Sequence, residues 1–389
     1  MELSKDEKEI LNGRDGNAAA KSMQILYALG EIFGAEKLIE VSSVQVAGVS
    51  YNNLGDAGLE YINSLAIDGK VKVKTMINPA GMDLVDWNKM SIPETFAKKQ
   101  IEVIAAFRKL GIQISATCTP YLIGIKPQKG EHIAWSESSA VIYANSILGV
   151  KTNREGGPSA LAAAIIGKTP YYGLHLDTNR QAQIKVNVEC TPGSQSDFSA
   201  LAYAIGKKIR NKIPLIYGIK QATHDQLKNF GAALATYGGT AIYHINCLTP
   251  NKTIIPSDAV SIYQADIDEA YTFLRDNEKI DFVGVGCPHA SIDEIHEIAE
   301  LIKGKKAKIP FWICTARKTK EEAQKLGLVT PIEEAGLLFA CDTCMAVAPL
   351  KNRFKCMATN SAKACFYGRG ANNFKVRLMS LEECVKEAT

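Results

Sequence analysis

Leu337-Leu-Phe-Ala-Cys341-Asp-Thr-Cys344-Met-Ala-Val347 is the stretch whose reading decides the fold. Its apolar run has the length and composition of a buried strand. The run delivers two thiols, three positions apart, into a turn of small polar residues. Cys356, Thr359-Asn-Ser-Ala-Lys363 and Cys365 follow closely. Three chemistries fit this pattern. Cys341, Cys344, Cys356 and Cys365 supply enough soft ligands for a structural zinc. Cys341-x-x-Cys344 has the spacing of a redox pair. In the third, one of the two joins thiols from distant parts of the chain around an iron-sulfur cluster. The plain alternative is that each free cysteine packs as a small hydrophobe.

Working outward, Ile280 to Val285 reads as another strand, running into Gly286-Cys287-Pro288-His289-Ala290, and Ser291 with Glu294 forms a capping box for the next helix. Gly284 and Gly286 begin a dinucleotide fingerprint, but His289 holds its third glycine position and Pro288 stiffens the loop, which argues against a nucleotide. Cys118, Cys247, Cys287, Cys314 and the Cys341/Cys344 pair all follow expected strands. In an open α/β sheet the carboxyl ends of strands form one rim, so several of these thiols can converge. Cys190 sits in a turn, Cys356 and Cys365 near an expected helix, and Cys384 on a final amphipathic helix where it packs in the core. Six dispersed histidines without H-E-x-x-H give no histidine metal site, and His296 reads as structural.

The rest of the chain repeats strand, polar turn and helix. Residues 4–34 carry helical periodicity broken at Gly13–Gly16. Strands are expected at Leu38–Val46, Val71–Ile77 and Ile112–Ser115, each followed by a turn suited to a ligand: Gly48-Val49-Ser50, Asn78-Pro79-Ala-Gly, and Thr117-Cys118-Thr-Pro. Ser91 and Glu94 suggest a capping box for a helix reaching Leu110. After Trp135-Ser-Glu137-Ser138 comes an apolar helix to about Leu148. Arg154-Glu-Gly156-Gly157-Pro158 then opens an alanine-rich helix in the manner of an anion pocket, with backbone N–H groups, a favourable dipole end and a cation. Strands are expected again at Leu215–Tyr217, Ala241–Ile245, Phe282–Val285 and Phe311–Ile313. The sum is an α/β protein with mostly parallel sheets. A soft break near 190–205 divides it into lobes of about residues 1–200 and 201–389.

At 389 residues the chain is long enough for two or three lobes and a large core. Lys and Arg exceed Asp and Glu by 45 to 41, without long runs of either sign, so neither nucleic acid nor a membrane is the expected partner. The charged start Met1-Glu-Leu-Ser-Lys lacks the apolar stretch of a secretory signal. A cytoplasmic protein is expected, in which ten cysteines favour metal chemistry over disulfides.

One resemblance unites these turns. Gly48-Val-Ser50-Tyr-Asn-Asn-Leu-Gly-Asp56, Thr117-Cys118-Thr-Pro-Tyr121, Trp135-Ser-Glu137-Ser138, Asn153-Arg-Glu-Gly-Gly-Pro-Ser-Ala160, Gly286-Cys287-Pro-His289, Asp342-Thr-Cys344 and Thr359-Asn-Ser-Ala-Lys363 occur in one order along the chain. Together they resemble aconitase X, a branch of the aconitase superfamily, over essentially the whole length. More narrowly, the chain is similar to the large chain of the archaeal two-chain type. The resemblance implies three-layer α/β/α regions arranged around a central cluster. It implies a 4Fe-4S cluster on Cys118, Cys287 and Cys344, isolated as 3Fe-4S or lost in air, with the place of Cys341 left open. It implies catalytic roles for Glu137 and Lys363, and substrate contacts at Gly48, Val49, Ser50, Asn78, Pro79, Glu137, Ser138 and Lys363. Arg154 joins Lys363 as a cation for the carboxylate or phosphate of a small phosphorylated hydroxy acid. A separate small subunit carrying the swivelling domain is implied, whose serine would act as base. The implied reaction is a hydro-lyase dehydration of (R)-mevalonate 5-phosphate to trans-anhydromevalonate 5-phosphate in an archaeal-type isoprenoid route. Dehydration of cis-3-hydroxy-L-proline and a zinc-stapled, non-catalytic binding subunit are the alternatives.

Overall fold

The computed structural model describes all 389 residues. The first region holds β1 (Leu38–Glu40), β2 (Ser43–Val46), β3 (Lys74–Ile77), β4 (Ala134–Trp135) and β5 (Lys168–Pro170). β2 lies between β3 and β4, all parallel, while β1 and β5 form a separate antiparallel pair. The single strand expected over Leu38–Val46 is therefore two. The chain changes partners at Val41 and Ser42, whose N–H groups donate to the carbonyls of Gly167 and His132. Strand periodicity sorts neighbouring side chains to opposite faces. Ile77 and Ala134 join a core beneath the helices Asn17–Ile32, Tyr51–Leu65, Glu94–Lys109 and Gly157–Ile166. Met76 and Trp135 join the core on the other face.

Two local expectations in this region fail for identifiable reasons. Ser91 does not cap the helix Glu94–Lys109. It closes the preceding 3-10 turn in a left-handed conformation (φ 54°), and Pro93 occupies the N-cap position without a side-chain bond. Ile112–Ser115 makes only one bridge, Gln113 to Met76, and is not a strand.

The second region holds β6 (Ile184–Val188), β7 (Pro214–Tyr217), β8 (His244–Ile245) and β9 (Ala259–Ile262), all parallel in the order β8-β7-β6-β9. The helices Gln195–Ile209 and His224–Tyr237, each with a capping box, pack against each other in this region. The segment 190–205 spans the turn after β6 and much of the first of them.

The third region is a five-stranded parallel sheet, β12-β11-β10-β13-β14, built from β10 (Phe282–Val285), β11 (Phe311–Thr315), β12 (Leu338–Cys341), β13 (Cys356–Thr359) and β14 (Lys375–Leu378). Cys356 thus begins a strand, where a nearby helix had been expected. Ser291 caps the helix Ile292–Leu301 through a capping box, as the sequence indicated. The largest apolar core joins the second and third regions and takes in Met82, Met90, Ile92 and Ala97 from the first. The regions share buried surface, and their strand ends are fixed relative to one another.

Candidate active site

In parallel sheets, crevices open where the strand order reverses. The third sheet reverses between β10 and β13, and the first between β2 and β4. The carboxyl ends of these strands carry most of the sequence-flagged turns, and a cavity of about 290 Å³ lies between the two sheets. Gly48 and Val49 reach it from β2, Asn78 and Pro79 from β3, and Glu137 from β4. Cys287 reaches it from β10, Cys344 from β12 and Lys363 from the helix after β13. Cys118 arrives on the loop that follows the Gln113 bridge. Gly286 permits this approach, for its φ is 84° and a Cβ there would stand 2.1 Å from the Cys314 carbonyl oxygen.

Nine sequence-flagged residues therefore line one cavity, although they lie up to 315 positions apart. Others fall just outside its wall. The Ser50 hydroxyl donates to the Val347 carbonyl at 2.9 Å. Ser138 Oγ lies 3.2 Å from Lys363 Nζ and 3.3 Å from Glu137 Oε1. Arg154 is exposed, makes no ion pair and does not line the cavity. Gly157, three residues on, has a packing reason of its own, because a Cβ would sit 2.7 Å from the Ala47 carbonyl oxygen.

The electrostatic centre of the cavity is the ion pair between Lys363 and Glu137. Glu137 also accepts from Asn78 Nδ2 at 2.8 Å, Ser139 Oγ at 3.2 Å and the Ser139 N–H at 3.4 Å. Burial alone would raise its carboxyl. Lys363 and these donors outweigh that and hold it down to about 2. Burial works against the Lys363 ammonium as well, but Glu137 keeps its pKa above the usual value. A carboxylate so well satisfied is an anchor and a poor proton acceptor near neutral pH.

The thiols behave oppositely. Burial pushes Cys118 up to about 12, and Glu137 adds to the effect. Burial also raises Cys287, against the pull of Lys363. Cys344 is driven well above the ordinary thiol value by burial and then by Cys287, Cys314 and Cys118. Burial raises Cys314, Cys365 and Cys384 in the same way, so what distinguishes these three is the soft donor set they bring to one cavity wall. No three His, Cys, Asp or Glu side chains converge closely enough for a single ion. A cluster assigns its thiolates to different irons and so does not need them within reach of one ion. Three soft donors on one cavity wall, with Glu137 and Lys363 beside them, would fit an iron-sulfur group.

The zinc reading of Cys341, Cys344, Cys356 and Cys365 does not hold. Cys344 and Cys365 belong to the core between the second and third regions, whereas Cys341 and Cys356 belong to the core on the opposite face of the sheet. A redox pair at Cys341/Cys344 fails for the same reason, and burial raises both thiols where an attacking thiol needs a lowered pKa. All ten cysteines are unbridged. Cys384 is buried on the last helix as expected, Cys314 is buried within β11, Cys190 is half-buried and Cys247 exposed.

Two groups escaped sequence reading. Arg317 pairs with both Asp83 and Asp342, and Asp83 accepts the Cys341 N–H at 3.0 Å, so this partly buried network pins the turn before Cys344 to the first region. His289, noted only for occupying a glycine position, is fully buried among the three thiol loops. Burial lowers it to about 4 and keeps it neutral. Its contacts lie 54 to 172 positions away, beyond any local pattern.

Comparison with known proteins matches three family descriptions along the chain: Aconitase X first domain over residues 1–178, second domain over 182–272 and third domain over 280–389. The phosphomevalonate dehydratase large subunit of Methanocaldococcus jannaschii is 46% identical, covering 99% of this chain and 100% of that protein. The cis-3-hydroxy-L-proline dehydratase of Hypocrea jecorina is more distant, at 32% identity over 100% of this chain and 68% of that longer protein. Among solved structures, that of Thermococcus kodakaraensis aconitase X in its holo form aligns with a TM-score of 0.94 and 44% identity over the full length of both chains.

Proposed function

The chain belongs to the aconitase X family, and from that premise we propose that it is the large catalytic subunit of a phosphomevalonate dehydratase. It is a hydro-lyase acting on (R)-mevalonate 5-phosphate. The observation that carries this reading is the cavity in which Cys118, Cys287 and Cys344 face the Glu137–Lys363 pair between two sheet edges. Identity of 44–46% to four large subunits bearing that name, above the 32% to the proline-type enzyme, favours the phosphorylated substrate.

Cys118, Cys287 and Cys344 are assigned as ligands of a 4Fe-4S cluster. When bound, such a cluster supplies a Lewis-acidic iron with an open place for the substrate hydroxyl and carboxylate. The rest falls to the chain. Lys363 holds a buried positive charge that a substrate carboxylate can share with Glu137. The N–H groups of Gly48, Val49 and Ser50 find no acceptor within the chain and can receive an anionic oxygen. Asn78 gives one end of its amide to Glu137, while its Oδ1 is buried and unpartnered, ready to accept from a substrate hydroxyl. Arg154, exposed and outside the cavity lining, is assigned to the phosphate.

Dehydration removes the tertiary hydroxyl and a proton from the carbon next to the carboxylate, forming a double bond and water. Glu137, held at about 2, is not suited to take that proton. The base is assigned to a small subunit carrying the swivelling domain, which covers the cavity mouth. No helix is long and apolar enough to cross a membrane, and we assign the assembly to the cytoplasm.

Anaerobic co-expression with the small subunit, followed by assay of both substrates, tests the reading. Water loss from (R)-mevalonate 5-phosphate with little from cis-3-hydroxy-L-proline is expected. The converse preference would move the protein to the proline branch.

A further inference from the structure

His289 contacts all three thiol-bearing loops at once. Its backbone N–H donates to Cys118 Sγ at 3.2 Å. Its ring joins that same loop to the Cys344 loop, with Nδ1 3.0 Å from Thr117 Oγ1 and Nε2 2.9 Å from the Thr343 carbonyl oxygen. A carbonyl only accepts, so Nε2 carries the hydrogen and Nδ1 accepts from the Thr117 hydroxyl. Every polar atom of the imidazole is thereby committed to a residue adjacent to one of the assigned ligands. Two residues upstream on its own loop stands Cys287.

A second set of groups holds His289 from behind. Its carbonyl accepts from Lys228 Nζ at 3.1 Å. Lys228 is 2% exposed and pairs with Asp225 at 2.8 Å and with Glu294, while Ser291 Oγ donates to Asp225 at 2.7 Å. A buried ammonium is stable only when its hydrogens are all taken, and here one of them is spent on a loop carbonyl. The reaction chemistry does not use this group, for neither Lys228 nor Glu294 lines the cavity.

We propose that His289 is a positioning residue that locks the three cysteine loops into one arrangement before any cluster is bound, and that the buried Lys228–Asp225–Glu294 group braces it. The inference rests on the cluster reading given above. Three ligands on loops up to 226 positions apart pay a large ordering entropy if each must be fixed as the cluster arrives. Linking them beforehand through one buried ring transfers that ordering to folding. The same links slow the release of any one thiolate, because its loop cannot swing away alone.

The test compares His289→Leu, which keeps apolar volume but removes both ring bonds, with His289→Gln, which can restore a donor toward Thr343. In the cluster-free protein, alkylation of Cys118 and Cys344 should accelerate about tenfold or more in His289→Leu relative to Cys384, with unchanged far-ultraviolet dichroism. In anaerobically loaded protein, the visible absorption of the cluster should decay to a chelator about tenfold faster, with His289→Gln in between. Should His289→Leu fail to fold, Thr117→Val removes only the Nδ1 partner and should give a severalfold change in both rates. Unchanged alkylation and chelator rates in the folded variants would overturn the proposal. A parent protein that takes up no iron and sulfide would instead sink the cluster reading, while the alkylation result would still judge the loop lock.

Discussion

The second and third sheets present the same topological opportunity and use it differently. Both are parallel, and both reverse strand order once, between β6 and β9 and between β10 and β13. Beyond β6 and β7 lies a cavity of about 590 Å³, bordered by Cys190, Lys220 and Gln226. It is larger than the cavity of about 290 Å³ at the third sheet. Yet its one cysteine is half-buried, and Cys247, beyond the neighbouring β8, is exposed. At the third sheet Cys287 and Cys344 are buried, face Cys118 from the first region, and are backed by His289. The second-sheet cavity opens beyond β6 and β7, beside the reversal, whereas the third-sheet cavity takes residues from both sides of it. What separates them is burial of several thiols around one small volume, beside a charged pair.

The largest effect should separate the two edges outright. Cys287→Ala removes a proposed ligand, and about a hundredfold or greater loss of activity with loss of bound iron is expected. Cys190→Ala, at the second edge, should leave iron content and activity within about twofold. Iron analysis of the two purified variants reads this contrast, and equal iron in both would erase it.

Lys363→Ala strikes the charged pair. It leaves Glu137 buried without its cation, at a cost of roughly 3–5 kcal/mol in denaturant unfolding. Adding Glu137→Gln should restore much of the stability but none of the activity, since the carboxylate-binding cation is still missing. Recovery of activity in the double variant would show that Lys363 matters only for folding.

The pH dependence is a subtler probe. The Glu137 carboxyl is lowered from 4.5 to about 2 on folding. Its contribution is complete above about 4.5 and is lost as pH falls through about 2, amounting to roughly 3 kcal/mol over that window. Other carboxylates, including Asp225 and Asp197, are lowered too, so the readout is a difference. Melting temperature of the cluster-free parent should fall more steeply between pH 4.5 and 2 than that of Glu137→Gln. Parallel curves would mean that the pair is not formed in solution. The smallest change should come from exposed Arg154. Arg154→Ala should raise KM for the phosphorylated substrate up to about tenfold at low ionic strength, with kcat little altered and the difference shrinking in salt.

Much of the site was legible because strand ends are legible. Phe282–Val285 and Leu338–Cys341 are apolar runs that stop at a glycine or a polar turn, and their following cysteines could be named as candidates from the sequence. The resemblance to aconitase X then selected Cys118, Cys287 and Cys344 from ten. What stayed hidden depends on three dimensions. Cys-Met-Ala-Thr at 356–359 is too short and too weakly β-forming to announce a strand, and only its two parallel neighbours make it one. Cys341 and Cys344 look alike on paper, but the alternation of β12 sends Cys341 to the far core, while the left-handed Asp342 (φ 61°) turns Cys344 back toward the cavity. His289 has partners on two other loops, and no spacing rule links position 289 to 117 or 343.

The most direct measurement is iron and acid-labile sulfide per chain after anaerobic purification, made on the parent and on Cys118→Ala, Cys287→Ala and Cys344→Ala. The account predicts about four of each in the parent with the cluster lost from each variant. Stoichiometric zinc without sulfide, or iron unaffected by any of the three substitutions, would contradict it.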